Sequence, residues 1–475
     1  MSVSQFKNGK PGLRESEASK LFSLAVEAHR HGSLEEAVRG YVRALALDPK
    51  AADIYNNLGV ALRAQGKGEA AVACYKRSLA LRPGDASTNS NMGNALCELG
   101  RLLEAEESLL KALESSPGLP GLHYNLGLVL RNKGQLEDSL ACFDHALKIN
   151  PNFVDCRWDR ALGLLRKGDY GRGFNEYEWR MKLLENPKRR FSQPLWDGGA
   201  LDGRTILLHQ EQGYGDMIQF SRYAALVKER GGPDCTVLLE CEPALVRLFS
   251  GVQGVDEAVI FGSGLPAFDV YAPLLSLPRI LAPDLNFIPN TTPYLQTPEL
   301  HNMHLPMPLD SGLKVGFAWA GKPSHNNDAK RSVDFKRFLD LMDAPEISFF
   351  SLQKGAAAEA LAGKGCEALC TDVGPRCQDF ADTACALEQL DLVVTVDTAL
   401  AHLAGALGIP VWILLPYIAD WRWLEGRDDS PWYPTARLFR QDRPGDWDGV
   451  FDAVAQALRK KLEETKNTGR EGPAK

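Results

Sequence analysis

One period dominates the first part of this chain. Prolines stand at 49, 83, 117 and 151, each 34 residues after the last. Small residues keep the same step at Ala37, Ala71, Ala105 and Ser139, as do Gly59, Gly93 and Gly127. Tyr41, Tyr75, Leu109 and Phe143 hold a further phase of it. Four independent columns in one register mean duplicated structural units of the size that builds helical arrays. Glycine in a first helix and a small residue in a second let paired helices approach closely, and the aromatic or leucine is expected to fill the space between units. Proline follows the second helix because it cannot continue it. A lone hairpin of this kind cannot bury its apolar face, so stacked units must share a core.

The columns resemble the tetratricopeptide (TPR) repeat, with units near 18–51, 52–85, 86–119 and 120–153 and a degenerate fifth near 154–187. Arg160 stands in the fifth where the pattern wants an apolar residue, so that unit reads as a cap or adaptor. A fifth column is not demanded by packing: Asn57, Asn91 and Asn125 are again 34 apart, each two residues before the glycine. Equal phase on stacked helices sets their amides in a row along the concave surface. Asparagine is a poor helix-interior residue, but its amide pairs with the backbone of an extended peptide whatever the peptide's side chains. The competing reading is that duplicated units inherit the residue, or that each Asn ties its neighbour's backbone. The row is similar to the asparagine ladder in the TPR region of O-linked N-acetylglucosamine transferase, which implies acceptor-peptide binding.

Charge and composition close off several classes. The 475 residues carry 54 basic and 61 acidic side chains, a net −7, against the basic excess of a general nucleic-acid binder. No apolar run approaches the ~18 residues of a membrane span. Residues 1–10 have no apolar core of a secretory signal. Ten cysteines without a C-x-x-C pair read as free thiols of a reducing compartment. The expectation is a cytoplasmic protein with disordered ends at 1–17 and 465–475.

After residue 187 the period vanishes. Pro187-Lys-Arg-Arg190 opens a linker, 188–203, rich in proline and glycine. Short β-like runs at 205–209, 236–240 and 258–261 then alternate with helical stretches at 216–230 and 243–249. Beyond an irregular, proline-rich connection at 283–308 the alternation restarts, with strands expected at 313–319, 347–352, 392–396 and 411–415 and helices at 399–407 and 447–461. Such alternation implies parallel sheets, here as two halves, 204–300 and 301–464. In open α/β sheets, function sits in loops beyond the strand C-termini.

Two such loops stand out. His209-Gln-Glu-Gln-Gly-Tyr-Gly-Asp-Met217 follows the first strand; Gly213 and Gly215 permit close ligand approach, and Asp216 opens a helix. That Asp is either an N-cap or a site residue. Val394-Thr-Val-Asp-Thr-Ala-Leu-Ala-His402 runs from a strand through Asp397-Thr398 into a helix whose N-terminal N–H groups suit a phosphate. An Asp-Thr pair is also a common cap.

Together the loops resemble glycosyltransferase family 9, heptosyltransferase-like enzymes of the two-domain GT-B fold, over roughly residues 200–440. The implied fold class is α plus α/β: an N-terminal TPR α-solenoid at 18–187, then a GT-B type pair of Rossmann-like subdomains. The resemblance makes Gly215-Asp216 the family's Gly-Asp pair, with Asp216 the acceptor-activating base. It makes Asp397-Thr398-Ala399-Leu400-Ala401-His402 the Asp-Thr-Gly-x-x-His motif, with Ala399 in place of glycine. Val315-Gly-Phe-Ala-Trp-Ala-Gly-Lys322 matches the first C-domain strand and its loop, and Ser351-Leu-Gln-Lys354 the position that meets the base. The implied donor-binding set is Gly213, Gly215, Trp319, Arg331 (with Lys330 the alternative), Gln353, Asp397, Thr398, Ala399 and His402. The aromatics of 420–434 read as packing ahead of a lid over sugar or base.

The chemistry is coherent. Asp216 takes the proton of an acceptor hydroxyl, and a helix N-terminus, Thr398 and Arg331 hold the charge of the departing nucleotide. No metal and no cofactor are then expected; Asp446-x-Asp448 reads as a cap, and His29, His31, His301 and His304 lack ligand spacing. The expectation is an inverting, nucleotide-sugar-dependent glycosyltransferase of hexosyl, heptosyl or nonulosonyl type. Its implied partners are a donor and a protein acceptor held by the TPR array, with flagellin suggested by bacterial proteins of similar organisation. The alternatives are a non-catalytic TPR adaptor that binds a nucleotide sugar, and a heptosyltransferase acting on lipopolysaccharide.

Overall fold

The computed structural model describes residues 11–183, 189, 191–281, 288–298, 303–306, 312–324, 327–362 and 365–468. The chain forms two compact units, Met1–Gly163 and Leu164–Lys475.

The first unit is a run of helical hairpins: α1 (Pro11–Arg30) with α2 (Leu34–Leu47), α3 (Ala52–Ala64) with α4 (Gly68–Leu81), α5 (Ala86–Glu98) with α6 (Leu102–Ser115), and α7 (Pro120–Asn132) with α8 (Leu136–Ile149). The periodic prolines fall in the turns after α2, α4, α6 and α8. The glycine column has a direct steric cause. A Cβ on Gly59 would lie 2.5 Å from the Tyr75 ring, one on Gly127 2.5 Å from Phe143, and one on Gly93 2.7 Å from Leu109. The large residue therefore seats on the glycine of its own hairpin as well as filling the space between units. It does both, since Tyr75 and Leu109 also share one buried cluster with Ala95, Leu96 and Leu126 of the following units. At the N-terminus α1 starts at Pro11, inside the stretch expected to be disordered; proline is pre-organised for a first helical position. Residues 1–10 lie outside the described residues.

The helix α9 (Val154–Lys167) spans the division, and α10 (Tyr170–Tyr177) belongs to the second unit. The division between the compact units thus falls after Gly163, while the fifth unit read from sequence runs to 187. The cause is aromatic burial: Tyr170, Phe174 and Tyr177 are buried, and the Phe174 ring centre lies 5.7 Å from that of Trp421. The expected linker is also anchored, with Trp196 buried and its N–H bonded to Tyr271 O at 2.8 Å.

The second unit holds two all-parallel sheets. The first contains β1 (Thr205–His209), β2 (Thr236–Cys241), β3 (Glu257–Ile260) and β4 (Val270–Pro273) in the order β3-β2-β1-β4. The second contains β5 (Leu313–Ala318), β6 (Ile347–Ser351), β7 (Cys370–Asp372), β8 (Leu392–Val396), β9 (Val411–Leu415) and β10 (Ala436–Arg440) in the order β10-β9-β8-β5-β6-β7. Every residue of β8 and β9 is buried, as parallel strands covered on both faces require. Strands β4, β7 and β10 and the helix Phe380–Leu387 come in addition to the elements read from sequence. The helix expected at 216–230 is broken into Tyr214–Phe220 and Ala224–Gly231 by a tight turn at Ser221–Tyr223, where the Ser221 hydroxyl bonds Ile218 O. The last helix, Trp447–Thr468, packs Val450, Phe451, Val454 and Leu458 on the second sheet and runs into the tail expected to be disordered. Among the described residues no helix is long and apolar enough to cross a membrane.

Candidate active site between the two sheets

Both informative loops sit at points where strand order reverses. β1 lies between β2 and β4, and β5 between β6 and β8, so the loops leaving β1, β5 and β8 diverge to opposite sides and leave a crevice.

After β1, Gly213 caps the helix Tyr214–Phe220, and Asp216 Oδ2 accepts its N–H at 3.1 Å. The capping reading of Asp216 is therefore correct for one oxygen. The other oxygen, Oδ1, accepts a hydrogen bond from Arg422 Nη2, contributed by the loop after β9. The Asp216 side chain is 20% exposed and that of Arg422 8%. Arg422 also donates to Asp420 Oδ1 at 2.8 Å and to Gln219 Oε1 at 2.5 Å. One residue before Asp216, a Cβ on Gly215 would lie 2.8 Å from His402 Cδ2 and 3.7 Å from Ala399 Cα. The helices Tyr214–Phe220 and Ala399–Ala406 therefore touch at a position only glycine fills, which brings the two motifs together.

After β8, Thr398 is the N-cap of Ala399–Ala406 in extended conformation, and its own side chain makes no capping hydrogen bond. Asp397 is buried; burial first, then the Asp420 charge, raise its carboxyl above the usual range, while Arg331 and Arg422 oppose the rise. His402 is held neutral, its basicity lowered chiefly by burial and then by Arg422, Arg222 and Arg331. Its Nδ1 is 2.9 Å from the Tyr433 hydroxyl, and its ring stacks on Trp423 at 5.4 Å. Arg331 ends the short helix Asp328–Arg331 and lies 3.5 Å from Asp328; its Nε is buried with no hydrogen-bond partner among the described residues. Gly321, after β5, makes room for that guanidinium, since a Cβ there would lie 2.7 Å from Arg331 Nη2. The Arg331 charge thus acts on Asp397 and His402, at the start and first turn of the helix Ala399–Ala406.

Two further residues of the expected donor-binding set make structural contacts. Trp319 is buried in the second sheet's core, 4.8 Å from Phe335. The Gln353 amide is consumed in joining the loops after β5 and β6: Oε1 accepts from Trp319 N and Ala320 N at 3.0 and 2.9 Å, and Nε2 donates to Ala320 O and Lys354 O at 3.1 and 2.9 Å. The 420–434 aromatics pack as read: Trp421, Trp423, Trp432 and Tyr433 are all buried. Asp446 caps the last helix through Gly449 N–H at 3.0 Å, and Asp448 pairs with Arg337. Among the described residues no group of three His, Cys, Asp or Glu is placed to hold a metal. His301 lies outside the described residues.

Sequence reading missed Arg422 and Arg222. The latter, buried, donates from Nη1 to Pro289 O at 2.7 Å and Trp432 O at 2.9 Å, and from Nη2 to Tyr294 OH at 3.0 Å. It fastens the Asp216 helix to the far lobe. The only available signal for Arg422 was its place in Asp420-Trp-Arg-Trp423, a segment noticed for its rings alone.

In the repeat unit the asparagine column has partners. Asn91 Nδ2 donates to Asn56 Oδ1 at 3.0 Å and Asn125 Nδ2 to Ser90 Oγ at 3.1 Å, each reaching the preceding unit, while Asn57 Nδ2 bonds Asp53 O at 2.8 Å. Asp159, the next residue in phase, accepts from Tyr124 OH at 2.7 Å. The tie between neighbouring units is real, but it runs to side chains and not to backbone. All three asparagines stay half-buried.

Comparison with known families agrees with this architecture. TPR family models match residues 29–66, 52–85, 86–118 and 121–153, and the model of glycosyltransferase family 9 (heptosyltransferase) matches 343–414. Protein FlbA of Caulobacter vibrioides is 28% identical over 316 residues, covering 62% of this chain and 53% of its own; the chain spans about half the length of that relative. Among solved structures, Pseudomonas aeruginosa PilF is 24% identical over 36% of this chain and 77% of its own, with a TM-score of 0.34. YrrB, described as a TPR protein with an unusual peptide-binding site, is 20% identical over 34% of this chain and 84% of its own, with a TM-score of 0.30. The chain thus carries TPR repeats within 29–153, followed at 343–414 by a segment that matches the model of glycosyltransferase family 9.

Proposed function

We propose that the chain is an inverting, metal-independent transferase that moves a sugar from a nucleotide-sugar donor to serine or threonine hydroxyls of a protein acceptor. One observation carries the reading: the helix bearing Asp216 is packed through Gly215 onto His402, so a carboxylate and an anion seat share one crevice. In the reaction the acceptor hydroxyl gives its proton to Asp216, and its oxygen forms a bond to the anomeric carbon. The bond from that carbon to the phosphate oxygen breaks, and its electron pair leaves with the nucleotide. A single displacement inverts the centre. The growing negative charge falls on Arg331, the Thr398 hydroxyl and the N–H groups of Ala399–Ala406, which act without reorganising. Asp397 and His402 shape the donor seat beside them.

The repeats support a protein acceptor, since stacked hairpins present an extended concave surface. Asn57, Asn91 and Asn125 keep the acceptor-peptide role, each with part of its amide still available beside the ties described above. Flagellin is the first acceptor to test, and the cytoplasm is where such a reaction would run.

The test is intact-mass analysis of purified flagellin incubated with the enzyme and, in turn, UDP-N-acetylglucosamine, ADP-heptose, GDP-mannose and CMP-pseudaminic acid, with and without EDTA. The expected result is a sugar-sized mass gain that EDTA does not reduce and that Asp216→Ala abolishes. Gain on lipopolysaccharide core and not on protein would replace the protein-acceptor reading, and no donor consumption at all would replace catalysis by binding.

A further inference from the structure

The carboxylate assigned as base does not stand alone. Asp216 Oδ2 is occupied by the N–H of Gly213, and Oδ1 by Arg422 Nη2, while Arg422 Nη1 and Nε donate to Asp420 and Gln219. Gln219 belongs to the Asp216 helix and is fully buried, while Asp420 and Arg422 come from the opposite lobe. Arg422 further lies over the Trp421 ring at 4.4 Å. A guanidinium so enclosed has one orientation, and it aims one N–H of its fork at Asp216.

We infer that Arg422 is a positioning residue for the transfer reaction: it crosses the lobe interface to fix the Asp216 carboxylate in one orientation and in its ionised form, ready to accept the acceptor's proton. This rests on the function proposed above. Two consequences separate it from a merely structural ion pair. The first is electrostatic: the cation favours the anion of Asp216, so its loss must make that carboxyl easier to protonate. The second concerns the lobes: the base is aimed only while both halves of the crevice are together, because its partner belongs to the other half. The other charged and titratable groups facing this cluster are Asp420 and Tyr177, Asp397 and Arg331 from the far side of the crevice, Arg222 beside His402, Arg180 through Tyr177 and Tyr433. Two carboxylates, Asp216 and Asp420, share Arg422, so removing Asp420 leaves the cation to Asp216 alone.

The experiment uses the full-length chain with carbon-13-labelled aspartate carboxyls, Asp216 being assigned by the signal lost in Asp216→Asn. Its titration is followed by NMR in the wild type and in Arg422→Gln, Arg422→Lys and Asp420→Asn. In Arg422→Gln the Asp216 midpoint is expected to rise by about 1–2 pH units, the size of effect an adjacent cation exerts. Lysine keeps the charge and restores most of the wild-type midpoint. Asp420→Asn, which still caps its turn, moves the midpoint down. The acidic limb of turnover, measured with the donor found by mass analysis, follows the same order. An Asp216 midpoint unmoved in Arg422→Gln overturns the inference, as does a shift of one sign in all three variants. Should Arg422→Gln not fold, the other two decide: an Arg422→Lys midpoint at or slightly above the wild-type value with an Asp420→Asn midpoint below it supports the inference, and an Asp420→Asn midpoint that is not lowered overturns it. Turnover that is indifferent to Asp216→Asn overturns the proposed function, and with it the inference; turnover that needs Asp216 but ignores Arg422 overturns the inference alone.

Discussion

At the residue scale the crevice is built from groups that a stable protein would avoid. Asp397 is buried beside Asp420, and its carboxyl is pushed up to about 6, chiefly by burial. The unfolded value is about 3.9. The folded state therefore holds a proton more tightly than the unfolded state, and stability falls as pH rises from about 4 to about 6. Asp397→Asn removes this liability. It is expected to stabilise the protein by about 1–3 kcal/mol at pH 7.5 and by little at pH 4, while weakening donor binding. Urea denaturation at the two pH values checks it; an Asn variant less stable at pH 7.5 would contradict the stated cause. Asp397 and Asp216 were legible in the sequence because each sits beside a strand end, among glycines or at a helix start. Arg422 and Arg222 were not. Their partners lie 206 and 210 residues away in the chain, and only the folded sheets bring them together.

At the scale of elements, the 34-residue period located the hairpins because each column answers a local contact, such as Gly59 against Tyr75. Strands β1, β8 and β9 fell where apolar runs stood. β7 and β4 escaped notice because three or four residues carry no period, and β10 because its two arginines interrupt the apolar run. The larger surprise is α10, which repeats the array's pattern yet belongs to the α/β unit. Its Phe174 is packed among Tyr170, Tyr177, Phe220 and Trp421. Phe174→Ala should therefore cost about 3–5 kcal/mol, as core aromatics do. A chain beginning at Asn152 should fold, whereas one beginning at Pro187 should aggregate. Circular dichroism and thermal unfolding of the two truncated chains decide the point; equal stability would return α10 to the array.

At the scale of the whole molecule, two parts legible from different grammars, a repeat and an alternation, stand in one chain; in the proposed function the first binds the acceptor and the second carries out transfer. Asn57, Asn91 and Asn125 have structural ties, so replacing all three with alanine should destabilise the first unit somewhat, by about 1 kcal/mol for each hydrogen bond lost. The ladder reading demands more: a fall of about tenfold or more in acceptor affinity with donor affinity unchanged, measured by titration calorimetry with flagellin and with the active donor. Loss of stability with unchanged acceptor affinity would leave the column a matter of repeat stacking alone.

The central claim is that Asp216 receives a proton while the donor sits across the crevice on groups of the other lobe. Asp216→Asn keeps the size of the side chain, and its one amide oxygen can hold either the Gly213 cap or the Arg422 bond, but it cannot accept that proton. Single-turnover transfer by this variant, measured together with its donor Kd, is the direct test. The account predicts a rate lowered by at least about 100-fold, within the range attributed to general-base catalysis, with donor Kd unchanged. A variant that transfers at the wild-type rate, or one that loses the donor instead, would contradict it.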